Sequence, residues 1–257
     1  MRAHFRTFCV AFICLAACVI VFAMGPALSA PAPVTWLIFV DDLHLEFRNT
    51  GRIRTAMKTL AAELIQEGDS FSLVSSGPSN MTVDLSTNRE VLEAEVKKAI
   101  GSGLRYEDIV QGPNGASEAR YRASRALAIA QSMLTNLSRM PAGRKSLLYI
   151  TSGYSFDVLP EPMPASRTLG NGLDVSRSEV RQQLNELTAT AARSAVTIYA
   201  IDPRTAFKGP IRDLPPSAHQ AAMHSVMRSM SEGTGGFAIV QGDFLSQLKR
   251  IADATRK

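Results

Sequence analysis

The clearest chemistry in the chain lies in a short acidic segment that contains one histidine. Asp41, Asp42 and His44 directly follow residues 34–40, an unbroken apolar run typical of a strand buried on both faces. Carboxylate and hydroxyl oxygens are the ligands that Mg²⁺ prefers, whereas an added imidazole favours a transition metal. Asp41, together with the hydroxyl of Ser152 from a later loop and with water, is therefore a candidate site for a weakly held divalent cation.

The same residues also have a purely structural interpretation, which the sequence favours. In it, the carboxylate of Asp41 accepts hydrogen bonds from backbone N–H groups of its loop, Asp42 is solvated, and His44 packs at the edge of the fold. Asp202 follows another apolar run, and we expect it to cap the turn before Pro203. We expect no cofactor, and the sequence leaves open whether Asp41 binds a metal.

A serine hydrolase is the enzymatic alternative. It would need a nucleophile, a base and an orienting carboxylate, and Ser152, His219 or His224, and Asp202 are the residues available. Ser152 lacks the Gly-x-Ser-x-Gly turn that exposes the nucleophile of an α/β-hydrolase. The two histidines are five residues apart, which is a poor spacing for one helical face, so we expect surface or rim positions for both. We therefore expect a protein that is not an enzyme.

The first thirty residues have the pattern of an export signal. Arg2 and Arg6 precede a nearly unbroken apolar stretch over residues 7–24, and small residues follow it. We predict that residues 1–30 are a signal peptide cleaved after Ser29. An uncleaved membrane anchor through residues 7–24 and a lipoprotein signal ending at Cys18 stay open as alternatives. The expected location is the periplasm or the medium, or the membrane surface facing the periplasm if the anchor is kept.

The composition of the remaining chain excludes several classes of protein. All three cysteines lie within the first thirty residues, so the body has no thiol for a disulfide, for catalysis or for metal binding. Of the 257 residues, 46% are apolar and 20% are charged, which excludes a disordered or collagen-like protein. Without Arg2 and Arg6, 26 basic residues stand against 23 acidic ones, and the net charge of +3 is too small to indicate nucleic-acid binding.

Apolar runs alternate with helical periods between residues 34 and 254. The runs, which predict strands, cover residues 34–40, 71–75, 81–85, 146–151, 196–201 and 237–240. Amphipathic stripes that predict helices begin near residues 53, 92, 123, 180, 222 and 244, and Ser86 is the expected cap of the second helix. The turn-rich residues 76–80 predict a hairpin between the second and third runs. The pattern predicts one α/β domain over residues 34–254: a doubly wound, mainly parallel six-stranded sheet with one antiparallel edge strand and helices on both faces.

Two long loops rich in proline and glycine, residues 152–175 and 202–217, follow the fourth and fifth predicted strands. Because the carboxyl ends of parallel strands meet at one edge of a sheet, we expect both loops to lie beside residues 41–44. Long loops at that edge are usually where binding occurs. We call this expected surface the rim, and its predicted contact residues are Asp42, His44, Tyr154, Asp157, Asp202 and Arg204.

The order of these elements and four short motifs resemble the von Willebrand factor type A (VWFA) domain, in particular the exported VWFA-related proteins of bacteria. The motifs are Phe-Val-Asp-Asp-Leu-His-Leu at 39–45, Leu-Tyr-Ile-Thr-Ser-Gly at 148–153, Ile-Tyr-Ala-Ile-Asp-Pro-Arg at 198–204 and Gly-Thr-Gly-Gly-Phe at 233–237. The resemblance implies a module that binds an unidentified protein partner. Besides the hydrolase, a structural domain anchored in the membrane by its N-terminal segment is the other alternative.

The resemblance also implies a divalent cation, which many VWFA domains hold in a metal-ion-dependent adhesion site. Asp41 matches the first aspartate of that site. Leu43 and Leu45 stand where the family has ligating serines, and Ser152 stands where it has a later aspartate. The adhesion site is therefore expected to be degenerate.

Overall fold

The computed structural model describes residues 32–140, 143–156, 175–206 and 217–256. Residues Pro33–Lys257 belong to one compact unit. The predicted signal peptide or anchor, Asp157 and most of both long loops lie outside the described residues. Within the described ranges, no helix has the length and apolar character needed to cross a membrane.

Six strands form one sheet in the order β3-β2-β1-β4-β5-β6. All neighbouring pairs are parallel except β2 and β3, which form the antiparallel hairpin at one edge. The strands are β1 (Val34–Val40), β2 (Ser70–Ser75), β3 (Thr82–Ser86), β4 (Arg144–Ile150), β5 (Val196–Ile201) and β6 (Ala238–Ile239). The predicted fold class is confirmed.

Seven α-helices are present in the described part of the chain. They are α1 (Thr50–Leu64), α2 (Arg89–Val96), α3 (Tyr106–Gln111), α4 (Gly115–Ser138), α5 (Arg177–Arg193), α6 (Ser217–Glu232) and α7 (Phe244–Arg256). The described residues also form short 3₁₀ helices after β1 (Phe47–Asn49) and after β5 (Pro203–Ala206).

The core has two layers because helices cover both faces of the sheet. Alternate residues of β1 point to opposite faces, so Trp36 and Ile38 pack in the layer that contains α1 and α7. Leu37 and Phe39 pack in the layer that contains α4, α5 and α6. This two-sided burial explains why β1 reads as a continuous apolar run.

The cap of α2 differs from the prediction. The side chain of Asn88, rather than that of Ser86, accepts a hydrogen bond from the backbone N–H of Glu90. Ser86 is the last residue of β3 and pairs with Phe71 across the hairpin, so it cannot also begin the helix.

One carboxylate joins the start of the sheet to the last helix. The buried side chain of Asp69, just before β2, accepts hydrogen bonds from the backbone N–H of Val34 (2.9 Å), from Nε1 of Trp36 (3.0 Å) and from Nη2 of Arg256 (2.5 Å). Burial opposes ionisation, but these hydrogen bonds, led by that of Arg256, outweigh it and lower the pKa of Asp69. The contact fixes α7 against the amino-terminal edge of the sheet.

The carboxyl ends of β1 and β4 lie side by side where the strand order reverses. From β1 the chain continues to β2 on one side, while β4 and β5 lie on the other. Such a reversal separates the connecting loops and leaves a crevice, which is the usual ligand site of open α/β sheets. We call this place the switch point.

Candidate functional site

Four side chains surround the carboxylate of Asp41 at the end of β1. Its Oδ1 accepts hydrogen bonds from Oγ of Ser76 and from Nδ1 of His44, both at 2.9 Å. Its Oδ2 accepts from Oγ1 of Thr151 at 3.0 Å and from Oη of Tyr154 at 2.8 Å. Each oxygen therefore accepts two hydrogen bonds, which uses its lone pairs fully. The donors are side chains, not the backbone N–H groups that the sequence suggested.

The hydroxyl groups of two buried tyrosines in this network stay protonated. Tyr154 donates to Asp41 and also shares a hydrogen bond with the hydroxyl of Tyr149. Burial raises the pKa of both phenols well above 10, and the nearby negative charge of Asp41 raises it further. Both tyrosines therefore remain neutral donors throughout the physiological range.

Asp42 is buried as well, with 1% of its surface exposed, so the expectation that it is solvated is wrong. Its Oδ2 accepts from the backbone N–H of Ser79 at 2.8 Å, and its Oδ1 lies 3.0 Å from Oγ of Ser76. Ser79 belongs to the β2–β3 turn, which folds back over the acidic segment. Burial raises the pKa of Asp42, hydrogen bonds from Ser79 and Ser76 oppose that rise, and the neighbouring charge of Asp41 adds to it.

These donors do not fit a divalent cation at Asp41. A metal needs lone pairs on the carboxylate, yet all four acceptor positions already receive a hydrogen bond and the group has no exposed surface. Ser152 makes no hydrogen bond to Asp41 in the described chain, and Leu45 packs in the core. The described residues contain no group of three or more histidine, cysteine, aspartate or glutamate side chains that could hold a metal.

A second buried acidic group follows β5. The carboxylate of Asp202 accepts hydrogen bonds from Nε and Nη2 of Arg204, at 2.9 and 2.6 Å, and from the backbone N–H of Arg204 at 2.9 Å. Asp202 thus shapes the turn at Pro203, as expected. Burial opposes its ionisation, but the charge of Arg204, followed by the nearby imidazole of His224, prevails and lowers the pKa of Asp202.

A cavity of about 50 Å³ opens at the switch point. Its wall combines the segments that follow β1 and β4 with α3, α4, α6 and the turn after β5. Most of the lining residues are apolar or aromatic: Leu43, His44, Glu46, Leu104, Tyr106, Ile109, Ala119, Arg122, Ala123, Ser152, Gly153, Tyr154, Ser155, Phe156, Arg204, His219 and Met223.

Two imidazoles line this cavity. His44 stands edge-on to Tyr154, with ring centroids 4.7 Å apart, and its Nδ1 is held by Asp41. His219 stands edge-on to Tyr106 at 4.8 Å and is only 6% exposed, so it is not a surface residue but part of the cavity wall at the rim. Burial lowers the pKa of His219, which keeps the ring neutral at pH 7.

The residues of the hydrolase alternative are only partly brought together. Ser152 and His219 line the same cavity, but no hydrogen bond connects them within the described residues. Asp202 is paired with Arg204, and its Oδ2 lies 3.6 Å from Nε2 of His224, on a different histidine. A connected set of nucleophile, base and orienting carboxylate is therefore not found in the described chain.

The described parts of the three predicted segments do converge at the rim. Leu43 and His44, residues 152–156, and Arg204 line one cavity. Of the predicted contact side chains, Asp42, Tyr154, Asp202 and Arg204 are buried. Each of these four side chains makes hydrogen bonds within the fold, and Tyr154 and Arg204 also line the cavity. His44 is partly exposed, and Asp157 lies outside the described residues.

No protein-family model matches the chain, and no curated protein matches it. Among solved structures, the human COPII-coat protein Sec24c is similar, with 10% sequence identity and a TM-score of 0.35. The similarity covers 88% of this chain but only 33% of Sec24c, so the chain spans about a third of that protein's length. The α/β sheet is compatible with a VWFA-like domain, and this distant likeness assigns neither family nor function.

Proposed function

We propose that the chain is an exported VWFA-like domain that binds another protein through the loops at the carboxyl edge of its sheet. The observation that carries this proposal is the position of the cavity. It lies between the segments that follow β1 and β4, at the switch point, where α/β sheets bind their ligands. The motifs at 39–45 and 148–153 supply its two central walls.

The lining of the cavity supports an anchoring role. Leu104, Ile109 and Phe156 offer apolar surface to a side chain inserted from outside, and Met223 closes another wall. Residues that dock into such pockets usually dominate the binding energy of a protein interface. The cavity volume of about 50 Å³ exceeds the roughly 10–15 Å³ that a single water needs, so a small side chain is the group that it suits.

Binding by shape and hydrogen bonding, without a metal, is the mechanism that we propose. The hydrogen bonds of Asp41 join the ends of β1, β2 and β4 and hold the cavity wall in one arrangement. A preformed pocket lowers the entropic cost of binding. Export remains part of the proposal, with the leader over residues 1–30 as its support.

A matched pair of variants on α4 tests the proposal. Ala119 lines the cavity, and Ala119→Leu would fill it; Ala128 is exposed on the same helix away from the cavity, so Ala128→Leu is the control. Partners captured from a cell-envelope extract should be retained by the control and lost with Ala119→Leu. Urea unfolding midpoints should show that both variants are folded. Equal capture of the same partners by both variants would exclude the cavity as the binding site.

A further inference from the structure

We propose that the cavity selects a short side chain with a hydroxyl or carboxamide tip, such as threonine or asparagine, over an aliphatic one of the same size. This inference rests on the proposed function, because it specifies the group of the partner that enters the cavity. Its basis is the pair of imidazoles set in an otherwise largely apolar wall.

The ring of His219 has no hydrogen-bond partner among the described residues, and its nitrogens keep some accessible surface although the residue as a whole is only 6% exposed. A ligand that covers these nitrogens removes them from water, and leaving a buried polar group unsatisfied is unfavourable. The ring lines the cavity, so a group bound there is placed to satisfy it. A neutral imidazole offers one donor and one acceptor, which a hydroxyl or a carboxamide can complement.

His44 adds a second oriented group. A carboxylate can only accept hydrogen bonds, so Nδ1 of His44 carries the hydrogen that it donates to Asp41. In the neutral ring this leaves Nε2 as an acceptor, and Asp41 fixes the orientation of the ring. A ligand with an N–H or O–H group therefore matches His44, whereas a purely aliphatic group does not.

Binding of a charged group is unfavourable because the charged side chains of the cavity wall already have partners within the protein. Arg204 is held by Asp202, while Arg122 donates to Glu118 at 2.7 Å and to the carbonyl of Ser102 at 2.6 Å. Glu46 accepts a hydrogen bond from Arg48. A carboxylate or ammonium group would have to compete with these pairs, whereas a neutral polar group would not.

The size of the cavity restricts the bound group to small side chains but does not choose among them. Its volume of about 50 Å³ suits a small side chain. Threonine and asparagine side chains have three and four heavy atoms, the same as valine and leucine. Size alone does not distinguish these pairs, so the imidazoles decide the choice.

Acetamide, the analogue of the asparagine side chain, and xenon, an apolar probe of small cavities, provide the test. Both are titrated into the full-length protein while NMR follows the imidazole signals, which variants assign. We expect acetamide to shift the signals of His219 and to bind about tenfold more weakly to His219→Leu. His219→Gln, which keeps a hydrogen-bonding tip, should recover most of the affinity, and xenon should enter the cavity of all three proteins.

The outcomes distinguish this inference from the proposed function. If acetamide binds His219→Leu as tightly as the original protein, the imidazole does not select the ligand and the inference is wrong. If xenon enters the cavity but acetamide does not, the inference is also wrong, while an aliphatic anchor remains compatible with the proposed function. If neither probe perturbs the cavity, both proposals fail.

Discussion

Removal of the Asp41 carboxylate should destabilise the fold by about 4–5 kcal/mol. One of its four donors has another acceptor nearby, since Ser76 can turn to Asp42. Tyr154 already accepts from Tyr149, so one of these two hydroxyls would lose its acceptor. His44 and Thr151 would lose the acceptor that they use in the described structure. A hydrogen bond to a charged group contributes about 1.5–3 kcal/mol, and we take the lower part of this range for each.

Urea unfolding of Asp41→Ala, followed by circular dichroism, measures this loss. Asp41→Asn keeps the volume but replaces one accepting oxygen with a donor, so its loss should be similar or slightly smaller. Asp84→Ala, at an exposed position of β3, is the matched control and should change stability by less than about 0.5 kcal/mol. A loss below about 1 kcal/mol for Asp41→Ala would refute the view that its hydrogen bonds hold the switch point together.

Three further predictions concern the buried charges. Arg256→Ala should cost about 2–4 kcal/mol at pH 7, measured by urea unfolding, because it leaves Asp69 without its cationic partner. Since the folded protein lowers the pKa of Asp69, this carboxylate stabilises the fold above its unfolded pKa, and the contribution disappears as the pH falls through the folded value. The stability of the original protein should therefore fall more steeply on acidification than that of Arg256→Ala, and parallel acid curves would contradict this. Arg204→Ala should lower the unfolding free energy by about 3–5 kcal/mol, because it leaves Asp202 buried without its guanidinium; a thermal midpoint unchanged from the original protein would contradict the assignment. Calorimetric titration with Mg²⁺, Mn²⁺ or Zn²⁺ should give only heats of dilution, since the Asp41 lone pairs are occupied, and a saturable heat that Asp41→Ala abolishes would overturn that conclusion.

The strands could be predicted from the sequence because burial on both faces leaves a strong local signal. The run at 34–40 matches β1 at both ends, and the alternating run at 81–85 marks the edge strand. Helix α3 gave no such signal, since it is only six residues long and none of its residues is buried. Because this helix was not predicted, the packing of Tyr106 against His219 was not predicted either.

The site could be predicted in position but not in composition. The strand end located Asp41, but its hydroxyl partners Ser76, Thr151 and Tyr154 lie 35, 110 and 113 residues away along the chain. Residues so far apart in the sequence come together only through the order of the strands in the sheet. Serine and threonine are also too common for these particular residues to be recognised from the sequence. The burial of Asp42 was missed for the same reason, because the turn containing Ser79 covers it only in the folded sheet.

The Asp69 contact gives the protein a built-in spectroscopic reporter. Trp36 is the single tryptophan of the chain, and its indole N–H bonds to the same carboxylate that Arg256 holds. Indole emission depends on the polarity around the ring, so one fluorescence signal should register whether the first strand and the last helix have come together. Stopped-flow refolding of the original protein and of Arg256→Ala would then time the docking of that helix without any added dye.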